Sequence, residues 1–277
     1  MRTGESAAEI TRASNSNLAL AFIAMSGQRR CDITTFYAFC RVIDDIADDS
    51  NRAAAMKKQE FAVWRTAIRD PVSNEPPLAP AIRELMTRYA ITPEMLEEIL
   101  DGVEMDVEGQ RYGTWDELRL YCHRVASAVG LVSIEIFGYR NPQCREYAIN
   151  LGLALQLTNI IRDVAADLRM QRVYLPADDL ARFEYSEREL FGGRYDERFI
   201  GLMRFEAQRA EHFFENARRL LPPEDRPAML PAEIMRCVYH KLLRQMEAGA
   251  FRVFEKRYRL SRVAKTWCVI AAYLNFR

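Results

Sequence analysis

Two stretches of the sequence set oxygen-bearing side chains at helical spacing within apolar surroundings. In FYAFCRVIDDIADD, residues 36–49, Asp44 and Asp48 lie four residues apart, so a helix projects both carboxylates from one face. Asp45 and Asp49 form a parallel pair on the neighbouring stripe, and Arg41 falls three residues before Asp44 on nearly the same face. Carboxylates placed this way repel one another, and apolar burial penalises each further. A divalent cation relieves both costs. Magnesium in particular takes oxygen ligands, keeps several waters and bridges carboxylates to substrate phosphates. In LGLALQLTNIIRDVAADLRMQRVYLP, residues 151–176, Asn159, Asp163 and Asp167 recur at i, i+4 and i+8, and Gln156 extends the stripe by three residues. Arg162, Arg169 and Arg172 flank it. Two such stripes facing each other across a cavity could hold metal ions and a diphosphate, and stabilise the diphosphate as it leaves as an anion. Taken alone, each is an ordinary solvated helix face with i,i+4 pairing to arginine. Their joint occurrence in apolar helices is what favours one shared site.

The elements that must position these stripes are helical. Gly and Pro are sparse, at 12 and 11, and alternating strand patterns are scarce. The sequence predicts helices near 5–25, 32–50, 53–69, 78–89, 93–110, 115–137, 142–169, 177–182, 187–191, 196–220, 231–257 and 261–275. Thr114 with Glu117, and Ser186 with Glu189, read as capping boxes. Thr92 followed by Pro93 reads as a helix start with proline at the first helical position. The apolar series Ile149, Leu151, Leu153, Leu155, Leu157, Ile160 and Ile161 marks 142–169 as a helix near the centre of the fold. The Pro-rich segments 73–80 and 221–231 are short connections, and no repeat or linker divides the chain. The expectation is an all-α, single-domain bundle over residues 1–277.

Composition narrows the function classes. Lys plus Arg equals Asp plus Glu, 39 each, so the basic excess of a nucleic-acid binder is missing. Six cysteines occur without C-x-x-C spacing, which argues against a zinc site or disulfide framework and suits a reducing cytoplasmic setting. The N-terminus has no signal-peptide core, and no long apolar run reads as a membrane span. His123 and His240 read as satisfied core or boundary side chains, His212 as surface, and RFEAQRAEHFFENARR (204–219) as a partly solvated helix. The pattern carries no signal for an oligomeric state. The apolar C-terminal helix is a candidate for peripheral membrane contact, although closing the core is its simpler role.

FYAFCRVIDDIADD resembles the first aspartate-rich motif of the squalene/phytoene synthase family, and LQLTNIIRDVAADLRMQRVYLP resembles the second. YCHRVASAVG (121–130) resembles the tyrosine segment between them. SNSNLALAF and FRVFEKRYRLSRVAK are similar to the family's N- and C-terminal segments. The resemblance runs from about residue 14 to about residue 266. It implies the class I isoprenoid (terpenoid) synthase fold, a helical bundle around a central apolar cavity. It assigns magnesium binding to Asp44, Asp48, Asn159, Asp163 and Asp167, and diphosphate or pocket contacts to Arg41, Gln156, Asn159, Arg162, Tyr239 and Arg257. Tyr121 matches the tyrosine implicated in proton or diphosphate handling. Two positions depart from the family pattern: Ser127, where glycine is usual, and Asn17, where an aromatic residue is common.

What the resemblance implies is head-to-head condensation of two isoprenoid diphosphates with several magnesium ions. The length and motif variants lean toward bacterial squalene or presqualene diphosphate synthases acting on farnesyl diphosphate. NADPH enters only if squalene is the product. Phytoene or dehydrosqualene synthesis is the nearest alternative. An inert relative acting as a binding or assembly protein is the alternative of another class, and intact acidic motifs argue against it. A free tyrosine, with a pKa near 10, is a poor base, so released diphosphate is the better proton acceptor. The apolar residues of 129–137 and 149–161 are the candidate walls of a dry chamber for a carbocation.

Overall fold

The computed structural model describes residues 22–25 and 27–274, which form helices and no strands. After a 3-10 turn at Phe22–Ala24 come α1 (Gly27–Asp48), α2 (Ala54–Arg69), α3 (Ala79–Arg88) and α4 (Pro93–Glu108). α5 (Trp115–Cys122) passes through a π turn at His123–Ser127 into α6 (Ala128–Phe137). α7 (Cys144–Arg169), the short α8 (Ala177–Arg182) and α9 (Glu187–Phe191), α10 (Glu197–Leu220), α11 (Leu230–Ala248) and α12 (Arg262–Leu274) complete the order.

Local signals start and stop these helices as expected. Ser186 and Glu189 form the full reciprocal capping box. At Thr114 only half of it forms: the Thr114 side chain accepts from the Glu117 N–H, while the Glu117 carboxylate turns back to the N–H of Gly113 at 2.6 Å. Thr92 and Pro93 start α4, and Gly109, at φ 64°, ends it in the left-handed region that glycine enters without penalty. α1 begins at Gly27, five residues earlier than the sequence reading placed it, after a left-handed turn at that glycine (φ 62°). The helix expected over 5–25 lies outside the described residues except for its last turn, which is 3-10.

The helix expected over 231–257 is corrected more sharply, because it stops at Ala248. Ala250 and Phe251 then adopt positive φ of 51° and 53°. The buried Phe251 fixes this break, as does the Tyr258 hydroxyl, which donates to the Gly249 carbonyl at 2.9 Å and accepts from the Arg252 N–H at 3.1 Å. The consequence appears at the site: the redirected chain delivers Arg257 to Asp163.

α7 is the central helix. It packs along α10 and against α5, the π turn, α6 and α11. Thirteen of its 26 residues are buried, as its apolar series predicts. α1 packs on α4 and α6, so α1 and α7 share α6 as a neighbour. The run Trp115–Phe137 has the length and composition of a membrane span, but α1, α4 and α7 pack against it as they would against a core helix.

Glycine at 152 lets α7 reach the π turn. A Cβ at Gly152 would lie 2.5 Å from the Ser127 Cα and 2.6 Å from its N, an approach that backbone cannot absorb. Ser127 itself is fully buried, and its Oγ donates to the Ile149 carbonyl at 2.8 Å. The departure from the family's glycine at 127 is therefore accommodated, with the tight contact supplied from the α7 side. Gly152→Ala should cost about 1–3 kcal/mol, seen as a lower urea midpoint at unchanged slope. An unchanged midpoint would contradict the close approach.

Candidate active site

α1 sorts its four aspartates onto two stripes. Asp45, exposed, and Asp49, half-buried, pair with nearby arginines, Arg41 Nη2 to Asp45 at 2.6 Å and Arg52 Nε to Asp49 at 2.9 Å. An exposed i,i+4 pair such as Arg41–Asp45 contributes about 0.3–0.5 kcal/mol. Asp44 and Asp48 occupy the other stripe. Asp44 is exposed to solvent, in a crowded setting with Asp48, Asp106 and Arg41 near it. That crowding raises its pKa to about 7, with the charges of Asp48, Asp106 and Asp45 adding to the effect and Arg41 opposing it.

On α7 the half-buried stripe runs Leu155, Asn159, Asp163, Asp167, one turn apart. Burial alone would raise the Asp163 carboxyl, but hydrogen bonds and charge from Arg162, joined by Arg257, hold it below its ordinary value. Arg162 Nε and Arg257 Nε each donate to Asp163 Oδ1 at 3.0 Å. The Tyr239 hydroxyl lies against the Arg162 guanidinium. Asp167 has no such support. Burial and the neighbouring charge of Asp163 push its pKa up to about 8.

One arginine ties the two stripes together. Just beyond α7, Gln171 takes a positive φ of 59° and turns the chain, and Arg172 Nη1 then donates to Asp48 Oδ1 at 2.8 Å. The Arg172 backbone N–H remains on the Asp167 carbonyl at 2.9 Å. A single residue thus touches α7 with its backbone and α1 with its side chain. A small pocket beside it is lined by Ile160, Val164, Asp167, Tyr174 and Leu190.

Asp106 on α4 is the main residue that sequence reasoning missed. Its two carboxylate oxygens accept from Tyr174 at 2.7 Å and from Tyr121 at 3.0 Å. The Tyr121 and Tyr174 rings stack at 5.0 Å, with Tyr112 beside both. Burial raises the Asp106 carboxyl, Arg172 and the two hydroxyls oppose that rise, and the charge of Asp48 adds to it. The available signal was register: Asp106 falls on the stripe of Ile99 and Val103, seven and three residues earlier, where an apolar residue would be expected. Tyr121 is buried and its pKa is driven well above the ordinary value, so it stays a hydrogen-bond donor and does not act as a phenolate base.

The structure therefore gathers Asp44, Asp48, Asp163, Asp167 and Tyr121 around Asp106 and Arg172, with Arg162, Arg257 and Tyr239 at the α7 edge. Arg41 stands to one side, bound to Asp45. Gln156 accepts from Asn159 Nδ2 at 3.3 Å. Of the expected apolar walls, Val132, Ile134, Ile136, Leu151, Leu153, Leu157 and Ile160 are fully buried core. Val129, Leu131, Ile149 and Leu155 remain half-open as wall candidates.

The donor set suits a hard cation. Asn159 Oδ1 is buried with no hydrogen-bond partner, and is the orphaned buried side-chain atom among the described residues. It lies one turn from Asp163, on the side that also carries the unsupported Asp167. Five carboxylates, Asp44, Asp48, Asp106, Asp163 and Asp167, share the region with three guanidiniums, Arg162, Arg172 and Arg257. The raised carboxyls of Asp44 and Asp167 mark where a further cation would be stabilised, and with the unmet Asn159 acceptor they suit oxygen-seeking magnesium. Among the described residues no three acidic, histidine or cysteine side chains converge on one point, and arginines hold Asp48 and Asp163.

An all-α bundle of this kind resembles the fold of the isoprenoid synthases. The crystal structure of a dehydrosqualene synthase in complex with ligand shares this fold at a TM-score of 0.84, covering 98% of this chain and 97% of that one at 24% identity. A profile of the squalene/phytoene synthase family matches residues 11–264. Phytoene synthase of Arthrospira platensis is 33% identical over 90% of this chain and 85% of its own length. 15-cis-phytoene synthase of Synechocystis sp. is 34% identical over 91% and 80% respectively. The chain belongs to the squalene/phytoene synthase family, whose members are prenyltransferases acting on isoprenoid diphosphates.

Proposed function

We propose that this chain joins two molecules of a C20 isoprenyl diphosphate head-to-head to give phytoene, without NADPH. The observation that carries the product is the name borne by its relatives above 30% identity, which are phytoene synthases along most of their length. This shifts the weight from squalene, toward which the motif variants leaned, to the carotenoid-precursor alternative. The observation that carries prenyl transfer is the pair of carboxylate stripes tied across one recess by Arg172 and Asp48.

Asp44 and Asp48 from α1, with Asn159, Asp163 and Asp167 from α7, are the residues that would hold magnesium. The metal supplies Lewis-acid stabilisation of the diphosphate as it leaves. Arg162 and Arg257 now neutralise Asp163. A bound diphosphate offers them a second anionic partner, so the same guanidiniums can position it and receive its growing charge. Tyr121 and Tyr174 hold Asp106 through their hydroxyls and set two stacked ring faces near the ionising centre, where a cation can be stabilised by the ring quadrupole. The half-open Val129 and Leu155 keep water from the cation. Departure of one diphosphate leaves an allylic cation that the double bond of the second substrate attacks. A proton lost to the released diphosphate closes the cyclopropane, since Tyr121 cannot serve as a base at neutral pH. Departure of the second diphosphate with loss of a second proton gives the unreduced hydrocarbon.

Purified protein supplied with magnesium and either geranylgeranyl or farnesyl diphosphate, with and without NADPH, tests the product. Phytoene from the C20 substrate, formed equally with and without NADPH, is the expected result. Squalene from the C15 substrate only with NADPH would restore the squalene reading. Presqualene diphosphate persisting with NADPH would define a half-reaction enzyme.

A further inference from the structure

Helix α12 carries its apolar stripe on the outside. Val263, Trp267, Ile270 and Leu274 recur at i, i+4, i+7 and i+11, and all four are exposed, Val263 to 80% and Leu274 to 62%. The opposite edge, Cys268 and Ala272, is buried, and Ala272 packs beside Leu230 and Ile234 of α11. A surface helix normally presents the reverse arrangement. With Tyr273, five of the ten large apolar side chains exposed among the described residues lie on this one 13-residue helix, so the patch is concentrated and not scattered.

Charge says what would cover it. From residue 256 to 277 the sequence holds six basic residues, Lys256, Arg257, Arg259, Arg262, Lys265 and Arg277, and no acidic one, in a chain whose formal charge is zero. Lys241 of α11 adds a cation over the Trp267 ring at 6.0 Å. A second copy of the chain would bring two such basic segments together at cost. An anionic bilayer offers the opposite charge at its headgroups and an apolar layer just beneath, and an aromatic side chain such as Trp267 suits the boundary between them.

We propose that α12 is an interfacial helix that seats this protein on an anionic lipid bilayer, with Val263, Trp267, Ile270 and Leu274 sunk below the headgroups and the exposed Arg259 and Arg262 at phosphate level. The segment leading into α12 carries Arg257, which sits on Asp163, so residues 258–261 alone link the helix to the diphosphate end of the site. That proximity would let a hydrocarbon product pass into lipid, a benefit that rests on the proposed function. The docking itself does not depend on it.

Flotation of the full chain with vesicles tests this without substrate or turnover. Binding to vesicles of equal parts phosphatidylglycerol and phosphatidylcholine should exceed binding to phosphatidylcholine alone by roughly tenfold and fall with added salt. Val263→Asp combined with Trp267→Ala should remove most of it. Arg259→Glu combined with Arg262→Glu, which alters no apolar side chain, should weaken it roughly tenfold. Circular dichroism melts of both variants should match the parent, because these side chains cover no core. Absence of binding to the anionic vesicles would overturn the proposal, as would binding that both variants retain. Self-association of the parent that the first variant abolishes would assign the stripe to a second copy instead.

Discussion

Asp44→Asn is expected to lower turnover by about 100- to 1,000-fold, the size of effect seen when one preorganised electrostatic contact to a reacting group is removed. The protein should nevertheless melt no lower than the parent. Both halves come from the same feature. Asp44 sits in a crowded setting beside Asp48 and Asp106, and burial raises its pKa to about 7. In the free protein its charge is therefore a burden, and a neutral amide of the same shape removes that burden. Asp167, raised to about 8 by burial and by Asp163, should behave alike. Asp163 should not. Its carboxylate compensates Arg162 and Arg257, so Asp163→Asn leaves two guanidiniums facing each other and should lose stability together with activity. A turnover assay paired with a thermal melt separates these outcomes. If Asp44→Asn kept near-parent rates, the recess would not be where the diphosphate is handled.

Arg209→Leu should cost about 3–5 kcal/mol of stability, the range for removing one partner from a buried ionic cluster. Arg209 on α10 donates to Asp179 of α8 at 2.9 Å and to both oxygens of Glu206, at 2.9 and 2.7 Å. Its guanidinium also lies over the rings of Trp115 and Phe205, at 4.4 and 4.8 Å. The Glu206 and Asp179 side chains are only 1% and 8% exposed, so without Arg209 two carboxylates stay buried together. For a chain of this size each kcal/mol corresponds to about 2–4 °C in Tm. The deficit should depend on pH. Burial and the charge of Asp179 already raise Glu206 from 4.5 to about 7 against the pull of Arg209. A group raised in the folded state favours folding while protonated and loses that contribution as pH rises. The deficit should therefore be smaller below pH 4.5 than above pH 7, where Glu206 must ionise. A deficit independent of pH would mean that packing against Trp115 and Phe205 dominates.

This cluster also shows where the sequence could not be read. RFEAQRAEHFFENARR looked like a partly solvated helix. His212 is indeed exposed, and His240 is a boundary side chain held by Glu211 at 2.9 Å. Nothing in that string marks Glu206 as buried, because Asp179 beside it and the Trp115 ring under Arg209 come from distant parts of the chain. The aspartate stripes were legible for the opposite reason. Their i, i+4 register is local, and a helix that forms at all must present Asp44 with Asp48 and Asn159 with Asp163. Register alone could not show that Arg172 would cross from α7 to α1, since that depends on one left-handed residue, Gln171. The overlong helix at 231–257 failed similarly. QMEAGAFRVFEK offers Gly249 as its one stop signal, and the turn there is set by Tyr258 and the buried Phe251. Asp106 sits between these cases, visible as an acidic residue on an apolar stripe but given its meaning only by Tyr121 and Tyr174.

Crystals grown with manganese in place of magnesium, together with an uncleavable thio-analogue of geranylgeranyl diphosphate, test the central arrangement most directly. Anomalous density should appear between α1 and α7, in contact with Asp44 or Asp48 on one side and Asp163 or Asp167 on the other, with Asn159 Oδ1 engaged and Arg257 turned toward the diphosphate. Manganese bound elsewhere, or an analogue lodged away from this recess with Arg257 still on Asp163, would contradict it.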